Sequence, residues 1–155
     1  MGTRASSSVV GVALLVAVSV LAATAVGAAT LDAAAGVDVP PRASFDARAD
    51  AAAQRIALTH RGGEAVAVER LRLRITVDGR PLAHQPPIPF FAARGFASGP
   101  TGPFNVGHDG PWRVGQVASL RLAGTNAPQL AAGATVRIEL YWENQRLAVV
   151  RTRAR

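Results

Sequence analysis

Two hydrophobic periods divide the chain. From Val9 to Ala29 every position is apolar or small except Ser19 and Thr24, and no charge occurs between Ala5 and Leu31. Val9, Val10, Val12, Leu14, Leu15, Val16, Val18, Val20 and Leu21 would lie on all faces of a helix, so the run predicts a helix with apolar surroundings on every side rather than an amphipathic surface helix. At about 1.5 Å of rise per residue, the run from Val9 to Ala29 gives roughly 31 Å, close to the hydrocarbon thickness of a bilayer. Arg4 precedes the run, whereas Asp32 and Asp38 follow it, which favours an orientation with the N-terminus inside and the C-terminus outside. The segment "LDAAAGVDVPP" ends in Pro40 and Pro41, which stop a helix and favour extended backbone, and it reads as a stalk.

Beyond the stalk the period falls to two, the signature of half-buried strands. In "AQRIALTH" Ile56, Leu58 and His60 alternate with Ala57 and Thr59. In "ERLRLRITVDGRPL" Leu71, Leu73, Ile75 and Val77 take one face and Arg70, Arg72, Arg74 and Thr76 the other, and Asp78-Gly79 predicts a tight hairpin. The pattern returns with Ala118, Leu120 and Leu122, then Val136, Ile138, Leu140 and Trp142, then "RLAVVRT", with Glu143-Asn144-Gln145 turning the chain between the last two. Between Pro81 and Pro111 alternation lapses. Prolines and glycines there predict turns, while Phe90, Phe91, Phe96 and Phe104 serve as apolar anchors for an ordered excursion over the strands. About six to eight short strands with no amphipathic helix between them predict an all-β antiparallel sandwich, Ig-like in arrangement, after the N-terminal hydrophobic α-helix.

Composition narrows the chemistry. The 155 residues contain no cysteine, which excludes disulfides, thiolate metal sites and thiol nucleophiles. The 17 basic residues are all arginine, against 10 acids, for a net charge of +7. Such a surface attracts anions at long range, but the basic residues are not interleaved with aromatics, so no nucleic-acid partner is expected. His60, His84 and His108 fit no compact metal motif, and neither a metal nor a cofactor is expected. Ser6, Ser7 and Ser8 form no nucleophile elbow, and "GPTGP" leads into neither a Lys-Ser/Thr pair nor a helix, so no enzyme is expected. The row of Arg70, Arg72 and Arg74 has two readings, a contact surface for anionic groups or a solvated strand face whose charge discourages edge pairing.

The string "RASSSVVGVALLVAVSVLAA" resembles the N-terminus of archaeal type IV pilins, where an Arg-Ala or Arg-Gly step precedes a pattern close to Val-Ser-Pro-Val-Ile-Gly-Val-Ile-Leu-Met-Val-Ala. Arg4-Ala5 matches the processing step, Ser7 the serine, Val9 and Gly11 the valine and glycine, and Val12, Leu14, Val16 and Ala17 the helix start; Ser6 and Ser8 depart from the family's Val and Pro. "LTHRGG" and "SGPTGPFN" before a Trp are similar to segments of ectodomains in the same group. The resemblance implies that a membrane-embedded prepilin peptidase cuts between Ala5 and Ser6 and that the helix is kept. It divides the chain into a leader (1–5), a membrane and filament-core helix (6–31), a stalk (32–41) and an extracellular β domain (42–155). It also implies self-association through the helix, with Val9, Gly11, Leu14, Leu15, Val18 and Leu21 packing in the filament core. Pilus assembly machinery would be a further partner, and the chain would be a major or minor filament subunit with adhesion as one expected role. The subunit would sit in the cell membrane before assembly and in an extracellular filament after it. Gly11, Ala13, Ala17, Ala22 and Ala23 allow close helix approach, although an alanine-rich composition also supplies them. Two other readings remain open: a monomeric membrane-anchored binding domain, and a secreted β domain whose signal peptide is cut near Ala23–Ala28. Unlike the acidic surfaces of many such pilins, the chain cut after Ala5 keeps 16 arginines against 10 acids.

Overall fold

The structure is a computed structural model that describes residues 10–24 and 39–155. Residues 10–24 are helical (α1), and every one of them is exposed. Ala and Leu favour this geometry, whereas the many valines lower its intrinsic propensity. Among the described residues no helix is long and apolar enough to cross a membrane. The remainder of the Val9–Ala29 run, the leader and most of the stalk lie outside the described residues.

Pro40–Arg155 forms a separate compact unit of seven strands in two antiparallel sheets. The first sheet has the order β1-β2-β5, from Ala43–Asp50, Arg55–Gly63 and Val117–Arg121. The second has the order β4-β3-β6-β7, from Arg80–Pro81, Leu71–Val77, Thr135–Trp142 and Gln145–Arg153. The alternation in β3 acts as expected: Leu71, Leu73, Ile75 and Val77 are buried and Arg72 and Arg74 exposed. Asp78 (φ 48°) and Gly79 (φ 78°) both take the left-handed backbone that a two-residue hairpin of this twist requires, and Val77 pairs with Arg80. Because β4 is so short, the Gln85 side chain takes over its edge pairing, accepting from Ile75 N at 2.7 Å and donating to Ile75 O at 3.0 Å.

Strand β6 pairs with β3 and β7, and its Val136, Ile138, Leu140 and Trp142 are buried opposite Val77, Ile75, Leu73 and Leu71. The turn after it is Glu143-Asn144 alone, since Gln145 already pairs with Trp142. The sequence pattern did not reveal β1, in which Phe45, Ala47 and Ala49 alternate with Asp46, Arg48 and Asp50. Its inward residues are mostly alanine, which gives a weak apolar signal. The buried side chains of both sheets belong to one hydrophobic cluster. The sheets also meet along β1 and the end of β7, where Ala49 bridges Ala154, Arg155 N donates to Ala49 O at 3.1 Å and Ala51 N donates to Arg155 O at 2.8 Å.

The excursion over 81–111 is closed on itself by a bridge from Phe90 to Asn105 and tied to β5 and the residue after it by bridges from Thr101 to Ser119 and Phe96 to Leu122. Phe90, Phe96 and Phe104 are buried as anchors, but Phe91 is 62% exposed and anchors nothing. With no strand or helix period there, the sequence carries no signal for which phenylalanines face inward.

Candidate functional site

Helix α1 bears on the expected helix-packing site. Gly11, Leu14, Leu15, Val18 and Leu21 are all exposed, the large side chains by 61–69%. The polar groups of the helix are already satisfied. Ser19 Oγ donates to Leu15 O at 2.8 Å, and Thr24 Oγ1 lies 3.0 Å from Val20 O and 2.9 Å from Leu21 O. Such back-bonding leaves no side chain in 10–24 that needs water, which suits a helix in lipid or among other helices. Arg4, Ala5, Ser6 and Val9 lie outside the described residues.

Of the arginine row, Arg72 and Arg74 lie on β3 whereas Arg70 ends a 3-10 turn, Val68–Arg70, just before it, and the row is partly committed to neighbouring residues. Arg70 donates through Nε and Nη2 to Glu143 Oε1 at 3.1 and 2.6 Å, and its guanidinium stands 4.6 Å over the Trp142 ring. Arg72 donates to Glu143 O and Asn144 Oδ1. These two arginines therefore fasten the β6–β7 turn. Arg74 is exposed opposite Glu139, whose carboxylate accepts from Arg137 Nη2 at 2.6 Å and from Tyr141 OH at 2.8 Å. The Arg137 hydrogen bond, with that of Tyr141 second, holds the Glu139 carboxyl below its ordinary value, and the same carboxylate raises the Tyr141 phenol.

Strand register extends the basic surface beyond the three arginines visible as a row. Arg137, Arg151 and Arg153 belong to the same outer face as Arg72 and Arg74, because Thr76 pairs with Arg137, Arg137 with Arg151 and Thr135 with Arg153. At the seam with β1 this face runs into a groove of about 940 Å³ lined by Arg48, Arg55, Arg151, Arg153 and Arg155. The alternation of "RLAVVRT" carried a signal for Arg151, whereas Arg48 and Arg55 are far away in sequence.

The histidines do not assemble. His60 is fully buried, stacks on Phe45 at 5.0 Å and has Nε2 3.1 Å from Gly62 O, while Nδ1 has no partner. His84 is held through its backbone by Asn126, and His108 donates its N–H to Asn105 O. Among the described residues no group of three His, Cys, Asp or Glu side chains could hold a metal ion.

The segments "LTHRGG" and "SGPTGPFN" and the following Trp meet in one buried cluster. Trp112 lies 4.8 Å from Phe45, 6.1 Å from His60 and 5.3 Å from Phe104 between ring centroids. Gly102 (φ 62°) lets the segment pass against Val117 O, where any side chain would collide with backbone. His60 and Phe104 thus bring both segments into the core around Trp112. No family model matches the chain, and no curated protein is significantly similar to it.

Proposed function

We propose that this chain is a pilin-like surface protein, a major or minor subunit of a type IV pilus-like filament. In this reading the leader is removed between Ala5 and Ser6, the apolar helix is retained, and residues 42–155 form an extracellular sandwich of Ig-like or pilin-like type. The observation that carries the proposal is α1, which exposes apolar side chains on every face while both its hydroxyls are satisfied internally. A helix of that kind is stable in a bilayer as a monomer and in the dry centre of a helix bundle, so one subunit can pass from the first to the second. The two antiparallel sheets share one hydrophobic core, which supports reading residues 42–155 as a folded domain beyond the helix.

The test is assembly. Wild-type protein brought to the cell surface should be recovered in sedimentable filaments without detergent. A Val18→Asp variant, whose charge costs about 2.5–3.5 kcal/mol in an apolar helix environment, should lose them. Wild-type chain that remains monomeric on its native surface would replace this reading with that of a membrane-anchored monomer.

A further inference from the structure

We propose that the groove at the β1–β7 seam binds an anionic linear polysaccharide through the carboxylate or sulfate groups of successive sugars. The inference rests on the β domain and stands whether or not the helix assembles into filaments. Arg48 on β1, Arg55 on β2, Arg151 and Arg153 on β7 and Arg155 beyond it line one recess, and all five are exposed. None of the five guanidiniums makes a hydrogen bond or ion pair with another described residue. The two acids in the groove are turned to the backbone instead: Asp46 Oδ1 accepts from Ala47 N at 2.9 Å and Asp50 Oδ1 from Ala53 N at 2.8 Å. Asp50 stands directly opposite Arg55 in the register without pairing with it. The groove therefore keeps an excess of free guanidiniums, in contrast to Arg70, Arg72 and Arg137, which are used within their own sheet.

The shape and lining select among anions. Arginine presents a planar fork that matches carboxylate and sulfate oxygens in pairs. Alternate residues on one strand lie roughly 6.6 Å apart, so Arg151 and Arg153 form a row along which a repeating charge can lie. Ala57, paired with Arg48 on the outer face, lines the same recess with a small side chain and leaves room for a thread to approach. No aromatic side chain lines the groove, so it lacks the stacking platforms on which single-stranded nucleic acid depends. The arginines converge from three strands on one recess, along which a flexible chain can lie. A single exposed ion pair is weak, and useful affinity requires several on one polymer.

The full chain in non-ionic detergent micelles would be titrated with polygalacturonate and chondroitin sulfate, with neutral dextran, oligo-dT and micelles doped with phosphatidylglycerol as comparators. Expected are saturable binding to at least one acidic polysaccharide that weakens with salt, and no binding to dextran. Arg151→Gln/Arg153→Gln and, separately, Arg48→Gln/Arg55→Gln should each weaken binding by about tenfold or more and lower its salt dependence. Arg94→Gln/Arg113→Gln, which removes the same charge from exposed positions outside the groove, should change it less than about twofold. Near-UV circular dichroism would confirm that each variant keeps the wild-type fold. The proposal is overturned by absent binding, by equal losses in groove and control variants, or by equal or tighter binding to oligo-dT or the lipid-doped micelles.

Discussion

Replacing Asn126 by alanine should be among the most damaging single changes in the β domain, although Asn126 lies outside the seven strands. Its side chain is 2% exposed and joins three backbone segments. Oδ1 accepts from His84 N and Ala127 N, both at 3.0 Å, and Nδ2 donates to His84 O at 3.0 Å and Gly95 O at 3.1 Å. Truncation would not harm all four groups equally. Gly95 O keeps its bond from Ala123 N at 3.0 Å, and Ala127 is exposed enough for water to replace the lost acceptor. The N–H and C=O of the half-buried His84 lose Asn126 with no substitute. At about 1–3 kcal/mol for each orphaned group, and nearer the lower end because His84 is only half-buried, the loss comes to roughly 2–4 kcal/mol. For a domain of this size that corresponds to a fall in Tm on the order of 10 °C. Near-UV circular dichroism during heating would measure it. Asn126→Asp keeps the acceptor for His84 N but turns a carboxylate toward two carbonyl oxygens, so it should be no more stable than the alanine variant. A drop below about 3 °C in Asn126→Ala, or an aspartate variant as stable as wild type, would refute the reasoning.

Other expectations follow from equally local geometry. Gly95→Ala should cost about 2 kcal/mol or more, since φ is +82° and an added Cβ would come within 2.9 Å of both His84 and the Asn126 amide; thermal melts near wild type would contradict this. Phe104→Ala should lower stability by about 3–5 kcal/mol, whereas Phe91→Ala should change it by less than about 0.5 kcal/mol, and denaturant midpoints that fall together would disprove the inward and outward assignments. The folded-state pKa of Glu139 is lowered, so its contribution is fully present above the ordinary carboxylate range and disappears as pH falls through the lowered value. The Tm gap between wild type and Glu139→Gln should therefore be largest near neutral pH and close in acid; a gap that does not vary with pH would argue against the Arg137 and Tyr141 hydrogen bonds as its source.

Strand β3 was readable because its two faces differ in chemistry as well as in period: Leu, Leu, Ile and Val inward against arginines outward. The same holds for β6, whose Arg137, Glu139 and Tyr141 separate the buried residues. β1 obeys the same period, but beyond Phe45 its inward residues are Ala47 and Ala49, which bury little apolar surface, so its alternation rests mostly on the charged residues. The arginine row was visible as a pattern, yet its use was not, because Glu143 and Asn144 reach Arg70 and Arg72 only once the β6–β7 turn closes beside β3. The seam groove escaped the sequence for a topological reason. It takes residues from opposite ends of the β domain, and nothing local to either end indicates that Ala49 will bridge Ala154. Asn126 likewise gives no signal in a stretch without periodicity. The apolar character of the helix, by contrast, is a property of composition and is legible residue by residue.

The central claim is that the hydrophobic helix is part of the working protein. The N-terminal sequence and intact mass of the chain isolated from its native cell surface test this most directly. The expected mature chain begins at Ser6 and retains the helix. A chain that begins near Ala29 would mean that the helix is discarded, and the filament reading would be abandoned.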